Sequence, residues 1–203
     1  MAGWIKSFFE KTKKGTCKTE HTKTGTSPQT TSSLSVAING SIRWSKDYDV
    51  LICHSEEDIS YVKELVSYLE STPERFRCFL QLRDSSPGSA ICTELSEAVR
   101  NSHCWVMVIT ASFLNDPWCK YQMHQALSES PLPNGRTIPL VRNLSRNQYP
   151  EELRFIYYTD TTMDQDGGFA KVKKTITYYL ENICKSNMMS CDSVEQGCGS
   201  DSS

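Results

Sequence analysis

Cys53 and His54 are adjacent residues whose types suggest chemistry, because a thiol and an imidazole can act as nucleophile and base. They are adjacent in a strand-like run, where neighbouring side chains point to opposite faces. Three carboxylates follow, Glu56, Glu57 and Asp58, which would suit metal or phosphoryl chemistry. At the first turn of a helix, however, carboxylates interact favourably with the helix dipole, and the chain has no glycine-rich phosphate-binding pattern. We therefore predict no catalytic residues here.

The histidines and cysteines are not spaced for metal binding. His103 and His124 have no partner at ligand spacing, and the nine cysteines include no C-x-x-C pair. The N-terminus does not have the pattern of a signal peptide. We therefore predict no metal, no cofactor, and reduced, mostly buried thiols in the cytosol.

Composition favours one folded domain with tails. The chain has 203 residues, 38% of them hydrophobic, and a formal net charge of −2. This is enough apolar material for one core, and no apolar run approaches the roughly 18 residues that a membrane span needs. A sequence pI near 6.1 argues against nucleic acid as a partner.

Short apolar runs alternate with helical patterns, as in a parallel sheet with crossover helices. The predicted strands are residues 48–53, 77–81, 105–109, 137–141 and 155–159. Predicted helices begin near Ser55, Ile91 and Asp116, and a closing helix covers residues 169–183. Pro139 is expected near a sheet edge or a strand end. The predicted fold class is α/β, a flavodoxin-like, doubly wound, mostly parallel five-stranded sheet.

The segment RDSSPG at residues 83–88 has the chemistry of a stiff, exposed turn. Pro87 presets its φ angle and Gly88 accepts a positive φ, so the pair suits the central positions of a type II turn. Asp84 and Ser85 can bond nearby backbone groups. From the residues alone, the segment is either a plain connector or an interaction surface.

Three motifs resemble those of Toll/interleukin-1 receptor (TIR) domains. YDVLICHS at residues 48–55 resembles the family's first signature box, and RDSSPG at 83–88 matches its second box, R-D-x-x-P-G. Pro117, Trp118 and Cys119 resemble the Trp-Cys element of the family's third helix. The third box, usually Phe-Trp, is not visible, and the nearest aromatic cluster lies at residues 155–158. The resemblance spans residues 44–184.

The combination of one such domain with a short basic N-terminus is most similar to the family's signalling adaptors of innate immunity. That resemblance implies binding to Toll-like receptor TIR domains and to the myeloid differentiation adaptor, leading to NF-κB activation, with a homo-oligomer expected. In the family the second box is a principal contact surface. The resemblance therefore implies that partners bind at Arg83, Asp84, Ser85, Ser86, Pro87 and Gly88.

An enzyme is the alternative, because some TIR domains cleave the nicotinamide bond of NAD. Those enzymes use a glutamate three residues after the cysteine of the Trp-Cys element, and here that position is Gln122. An amide carries no charge to stabilise a developing ribosyl cation. The next carboxylate, Glu129, lies about 10 Å further along the helix axis. We therefore predict that the chain is not an enzyme.

The first 23 residues have the pattern of an interfacial membrane anchor. Six lysines against two glutamates make this segment basic, and on a helix the aromatic residues share one face. The alternatives are a solvated basic tail, or a patch for nuclear import or nucleic-acid binding. We predict peripheral binding to anionic phospholipid or phosphoinositide at the inner face of the plasma membrane, through Trp4, Lys6, Phe8, Phe9, Lys11, Lys13 and Lys14.

The remaining organisation follows from composition and a short motif. Residues 24–43 are expected to be a Ser/Thr-rich linker, residues 44–184 the TIR domain, and residues 185–203 a disordered tail. Pro150, Glu152 and Phe155 fit P-x-E-x-x-aromatic, which resembles a peptide motif bound by a TNF-receptor-associated factor through strand addition. The alternative is that Phe155 belongs to the core.

Overall fold

The computed structural model describes residues 41–192. Five parallel strands form one sheet in the order β2-β1-β3-β4-β5. The strands are β1 (Tyr48–Cys53), β2 (Cys78–Phe79), β3 (Ser102–Ile109), β4 (Thr137–Val141) and β5 (Thr159–Asp160). The strand order reverses direction at β1 and β3, which is the predicted doubly wound topology.

Within residues 41–192, six α-helices connect and cover the strands. They are α1 (Ile59–Glu70), α2 (Gln81–Asp84), α3 (Ile91–Arg100), α4 (Ala111–Asn115), α5 (Pro117–Glu129) and α6 (Gln165–Asp192). Short 3₁₀ turns lie at Ser41–Ser45, Glu56–Asp58, Arg146–Gln148 and Glu151–Leu153. No helix among residues 41–192 is long and apolar enough to cross a membrane.

Two apolar layers enclose the sheet, one on each face. Alternate residues of β1 separate between them: Val50 and Ile52 pack with α1 and α6, whereas Leu51 and Cys53 pack with α3, α4 and α5. All eight residues of β3 are buried, as expected for a central strand covered on both faces. This alternation places Cys53 on the opposite side of the sheet from Ile52.

Local signals predicted the middle of the domain well. Asp116 caps α5, where its side chain accepts hydrogen bonds from the backbone N–H groups of Trp118 and Cys119, and Pro117 is the first helical residue. Pro139 lies in the middle of β4, which is not an edge strand. β5, however, pairs only with Leu140 and Val141. Pro139 therefore has no strand partner on the β5 side of β4.

The ends of several elements differ from the predictions. β2 is shorter than residues 77–81, because Gln81 already begins α2. The predicted last strand at 155–159 is wrong at its start: residues 155–158 form a turn and an irregular stretch, and β5 begins at Thr159. Ile91, predicted on the buried face of α3, is 47% exposed at the first turn of that helix. An apolar pattern therefore does not mark where the hydrogen-bonded element begins or ends, and at Ile91 it does not mark the buried face.

Two described elements extend past the limits predicted for the domain. A 3₁₀ turn at Ser41–Ser45 overlaps the predicted linker, and α6 continues to Asp192, so the start of the predicted tail is helical. The predicted lipid-binding residues and the segment 1–23 lie outside the described residues. The same is true of residues 24–40 of the linker and residues 193–203 of the tail.

Candidate functional site

The 83–88 segment begins in a helix and ends in a turn. Arg83 and Asp84 are the last residues of α2, so the prediction of a loop is wrong for these two. The backbone N–H of Ser89 donates to the Ser86 carbonyl at 3.2 Å, and Gly88 has a φ angle of 91°. These features confirm the predicted type II turn. The turn projects from the domain, with Ser86, Pro87 and Gly88 exposed.

Arg83 is held in place by several acceptors. Its guanidinium donates to Glu70 Oε1 at 2.9 Å, to Asp84 Oδ1 at 2.9 Å and to the carbonyl of Cys78. Hydrogen bonds to the carboxylates, Asp84 foremost, raise the pKa of Arg83. The side chain is still 43% exposed, so a fixed positive charge is presented to solvent beside the turn.

Two carboxylates hold the backbone of this segment. Asp84 Oδ2 accepts from the Leu80 N–H at 2.8 Å, where β2 gives way to α2. Glu94 Oε1, on α3, accepts from the Ser86 N–H at 2.9 Å. Sequence analysis did not identify Glu94, because its partner is a backbone group eight positions away across the turn.

An apolar groove of about 390 Å³ adjoins the segment on the side of α1. Leu82, which is 59% exposed, forms one wall, and Arg83 lies at the rim. The groove is lined by Ile59, Lys63, Val66, Ser67, Glu70, Leu80, Leu82 and Arg83. Leu82 and Arg83 thus belong both to the helix that leads into the turn and to the lining of the apolar groove.

Cys53 and His54, at the end of β1, are both buried. Burial raises the pKa of the Cys53 thiol to about 12, so it carries almost no thiolate. Burial also lowers the pKa of His54, whose Nδ1 lies 3.1 Å from the Ile52 carbonyl oxygen. Asp58 accepts from Thr110 Oγ1 at 2.6 Å, which links the carboxyl ends of β1 and β3. No cluster of metal-ligating side chains occurs in the described part of the chain.

Most of the described cysteines are buried. Cys53, Cys78, Cys104, Cys119 and Cys184 lie inside the domain, which confirms the predicted burial, and Cys92 on α3 is exposed.

Gln122 occupies the position that is a glutamate in NAD-cleaving TIR domains. It is buried on α5, with its Nε2 3.4 Å from Gln81 Oε1. Its own Oε1 has no hydrogen-bond partner among the described residues. Glu129, the next carboxylate along the chain, is an exposed residue at the end of the helix.

The P-x-E-x-x-aromatic motif does not lie in an extended segment. Residues Glu151–Leu153 form a 3₁₀ turn, Pro150 is buried, and Leu153 is completely buried in the layer formed with α5. Glu152 is exposed and Phe155 is 53% exposed. The proposed core role of Phe155 is therefore wrong, and Leu153 is the core residue of this motif.

A family model for the TIR domain matches residues 50–174. The chain belongs to the TIR domain family.

A human protein, the Toll/interleukin-1 receptor domain-containing adapter protein, is 57% identical over 145 residues. The match covers 71% of this chain and 65% of the relative's length. The chain thus matches somewhat less than two thirds of that relative.

Solved structures show the same fold. The TIR domain of the Toll-related receptor TRR-2 from Hydra magnipapillata is 24% identical and superposes with a TM-score of 0.53, covering 64% of this chain and 98% of that domain. A TIR-STING receptor from C. gigas, in complex with 2',3'-cGAMP, is 21% identical with a TM-score of 0.58, covering 65% of this chain and 40% of the receptor.

Proposed function

We propose that this chain is a signalling adaptor that connects Toll-like receptor TIR domains to the downstream myeloid differentiation adaptor. The observation that carries the proposal is the 57% identity to a human adapter named for its TIR domain. The shape of the 83–88 segment supports it, because an exposed, restrained turn beside an apolar groove is suited to protein contact.

The proposed contact surface consists of the 83–88 segment and the groove next to it. Arg83 presents a charge whose position is already fixed, so binding costs little side-chain entropy. Pro87 and Gly88 give the turn one backbone conformation before the partner arrives. Leu82 adds an exposed apolar side chain that a partner can cover.

A substitution at Pro87 tests this surface. Pro87→His removes the restraint on φ and changes an exposed side chain, but it touches no buried strand. We expect the full chain to capture receptor and adaptor TIR domains, and the variant to lose most of that capture with little change in melting temperature. The matched control is Pro133→His, since Pro133 is an exposed proline in a different loop. Equal capture by both variants would contradict the assignment.

We also propose that the chain has no NAD-cleaving activity. Gln122 is buried and neutral, so no carboxylate is available there to stabilise a ribosyl cation. The full chain should consume no NAD when incubated with it under conditions in which a TIR-type NAD hydrolase shows turnover. Gln122→Glu would restore slight activity only if the rest of such a pocket were intact. Robust turnover by the unmodified chain would refute the proposal that it acts only as an adaptor.

We propose that residues 1–23 place the adaptor at the inner face of the plasma membrane and that residues 24–43 connect this segment to the TIR domain. Support comes from the six lysines and the aromatic residues of the segment. Such a chain would be cytoplasmic and peripherally bound.

A further inference from the structure

Glu94, on α3, contacts the projecting turn formed by residues 86–89. Its Oε1 accepts from the Ser86 N–H at 2.9 Å. The Ser85 hydroxyl oxygen, just before the turn, is buried and has no hydrogen-bond partner among the described residues. The Glu94 side chain therefore joins the first residue of the type II turn to α3 through the Ser86 N–H.

We propose that Glu94 is a positioning residue that holds residues 86–89 in the conformation in which the TIR surface binds its partners. The inference rests on the proposed function, in which this surface makes the contact. It adds a residue outside the signature box, on a different helix, that determines the shape of the box.

The two halves of the segment are restrained by different groups. Arg83 and Asp84 are fixed by α2, by Glu70 and by the Leu80 backbone. From residue 85 to residue 90 the chain contributes no side chain to either apolar layer. The hydrogen bond across the type II turn is local and does not join the turn to the domain. The Ser85 N–H donates to the Gln81 carbonyl at 3.1 Å, and the Ala90 carbonyl accepts from the first turn of α3. For residues 86–89, between these two points, Glu94 provides the connection to the described part of the domain.

The surroundings of Glu94 make its charge important. The small cavity at its side is lined by Asp47 and Tyr48 from the start of β1, Asp84 from α2 and Glu97 on α3 itself. Carboxylates that line one cavity repel one another unless they have donors, and the Ser86 N–H is such a donor to Glu94.

The pH dependence has a defined direction. The Ser86 amide, and after it the Ser89 hydroxyl, lower the pKa of Glu94 below its ordinary value of 4.5. A group with a lowered pKa contributes fully above its ordinary pKa, and the contribution is lost as pH falls through the lowered value. The turn should therefore stay attached at neutral pH and detach only below about pH 4.5.

The test uses the uniformly ¹⁵N-labelled full chain and two matched variants. As pH falls from neutral to about 3, the Ser86 amide resonance should move upfield with a midpoint below 4.5, because it loses a charged acceptor. Glu94→Gln should abolish this titration. Glu97→Gln changes the next carboxylate along α3 that lines the same cavity, and it should leave the titration intact. The Leu80 N–H donates to Asp84 Oδ2, so the Leu80 amide resonance follows the contact with Asp84 separately. A Ser86 titration that survives in Glu94→Gln overturns the proposal.

Binding provides the second measurement. At neutral pH we expect Glu94→Gln to raise the Kd for a receptor TIR domain about three- to tenfold, and Glu97→Gln to leave it unchanged. Glu94→Ala should weaken binding further, because glutamine can still accept one hydrogen bond. Equal affinity of Glu94→Gln and the unmodified chain overturns this inference alone. Failure of the unmodified chain to bind any TIR domain overturns the proposed function and this inference together.

Discussion

At the scale of single residues, the least expected feature is a buried ion cluster at the start of β1. The Asp49 side chain has no exposed surface. It accepts from Arg43 Nη2 at 2.6 Å and from Arg77 Nη2 at 2.8 Å. Arg43 also donates to the backbone carbonyls of Glu74 and Arg75. The cluster therefore attaches the first described turn of the chain to the segment that leads into β2.

Asp49→Asn should strongly destabilise the domain. The change leaves two guanidinium groups partly buried without their counter-ion, which typically costs about 3–5 kcal/mol in the free energy of unfolding. Burial alone would raise the pKa of Asp49, but hydrogen bonds from Arg43 and Arg77 outweigh it and lower the pKa. The difference in the free energy of unfolding between the variant and the unmodified chain should thus be largest above pH 3.8, the ordinary pKa of the carboxyl group, and shrink as the pH falls further.

Urea unfolding across this pH range measures the effect. Asp47→Asn is the control, because Asp47 is an exposed carboxylate two residues earlier. If both substitutions lower the free energy of unfolding by the same amount at neutral pH, the cluster does not stabilise the fold.

At the scale of elements, the structure limits what the segment 150–155 can bind. Strand addition requires an extended backbone, whereas Glu151–Leu153 form a 3₁₀ turn that buries Leu153. Tyr149 and Tyr158 lie against each other on either side of this turn, with ring centroids 4.8 Å apart. Binding in the extended form would have to pull Leu153 out of the core.

We therefore expect the full chain not to bind the peptide-binding domain of a TNF-receptor-associated factor. The cost of exposing Leu153, about 1.5–3 kcal/mol for its apolar surface alone, opposes binding in the folded state. Calorimetry should compare the full chain with a free peptide of residues 148–157. Binding by both with similar affinity would contradict this expectation, whereas binding by the peptide alone, or by neither, agrees with it.

At the scale of the whole molecule, charge is unevenly distributed along the sequence. Residues 1–23 carry six lysines and two glutamates, whereas the chain as a whole has a net charge of −2. The rest of the chain is therefore acidic, and an anionic membrane should attract the first segment and repel the remainder. The linker sequence has the composition of a flexible connection, which would let each part act independently.

Replacing Lys11, Lys13 and Lys14 by alanine should abolish selective binding to vesicles that contain phosphoinositide or phosphatidylserine. Each lysine near an anionic surface contributes about 1 kcal/mol. Replacing Trp4, Phe8 and Phe9 should instead leave a weak association that salt removes, because only charge remains. Vesicle sedimentation and capture of TIR domains should be measured on the same preparations.

The matched control for the lysine variant removes the same number of charges from the folded domain. Lys120, Lys171 and Lys174 are exposed on α5 and α6, and their replacement should leave vesicle binding unchanged. If the control variant loses binding as fully as the first, or if the first still binds selectively, the N-terminal segment is not the anchor.

Much of the fold could be predicted from local patterns. The continuous apolar runs of β1 and β3, the Asp116-Pro117 cap of α5 and the Pro87-Gly88 turn all depend on residues close together in the sequence. Short elements such as β2 and β5 were placed imprecisely, because a strand of two residues has no period that a sequence can display.

The sequence by itself determined the fold class, the family resemblance and the position of the projecting turn, since these follow from the order of apolar and turn-forming residues along the chain. Only the tertiary structure decided which side chains fix that turn. It alone also decided that Leu153 is buried in the core, which opposes strand addition by residues 150–155. Glu94 meets Ser86 because α3 packs back beside the loop. Asp49 lies between Arg43 and Arg77 because separate segments converge at one end of β1. Such contacts join donors and acceptors that no sequence spacing specifies, because their partners are brought together only when the sheet and its helices pack.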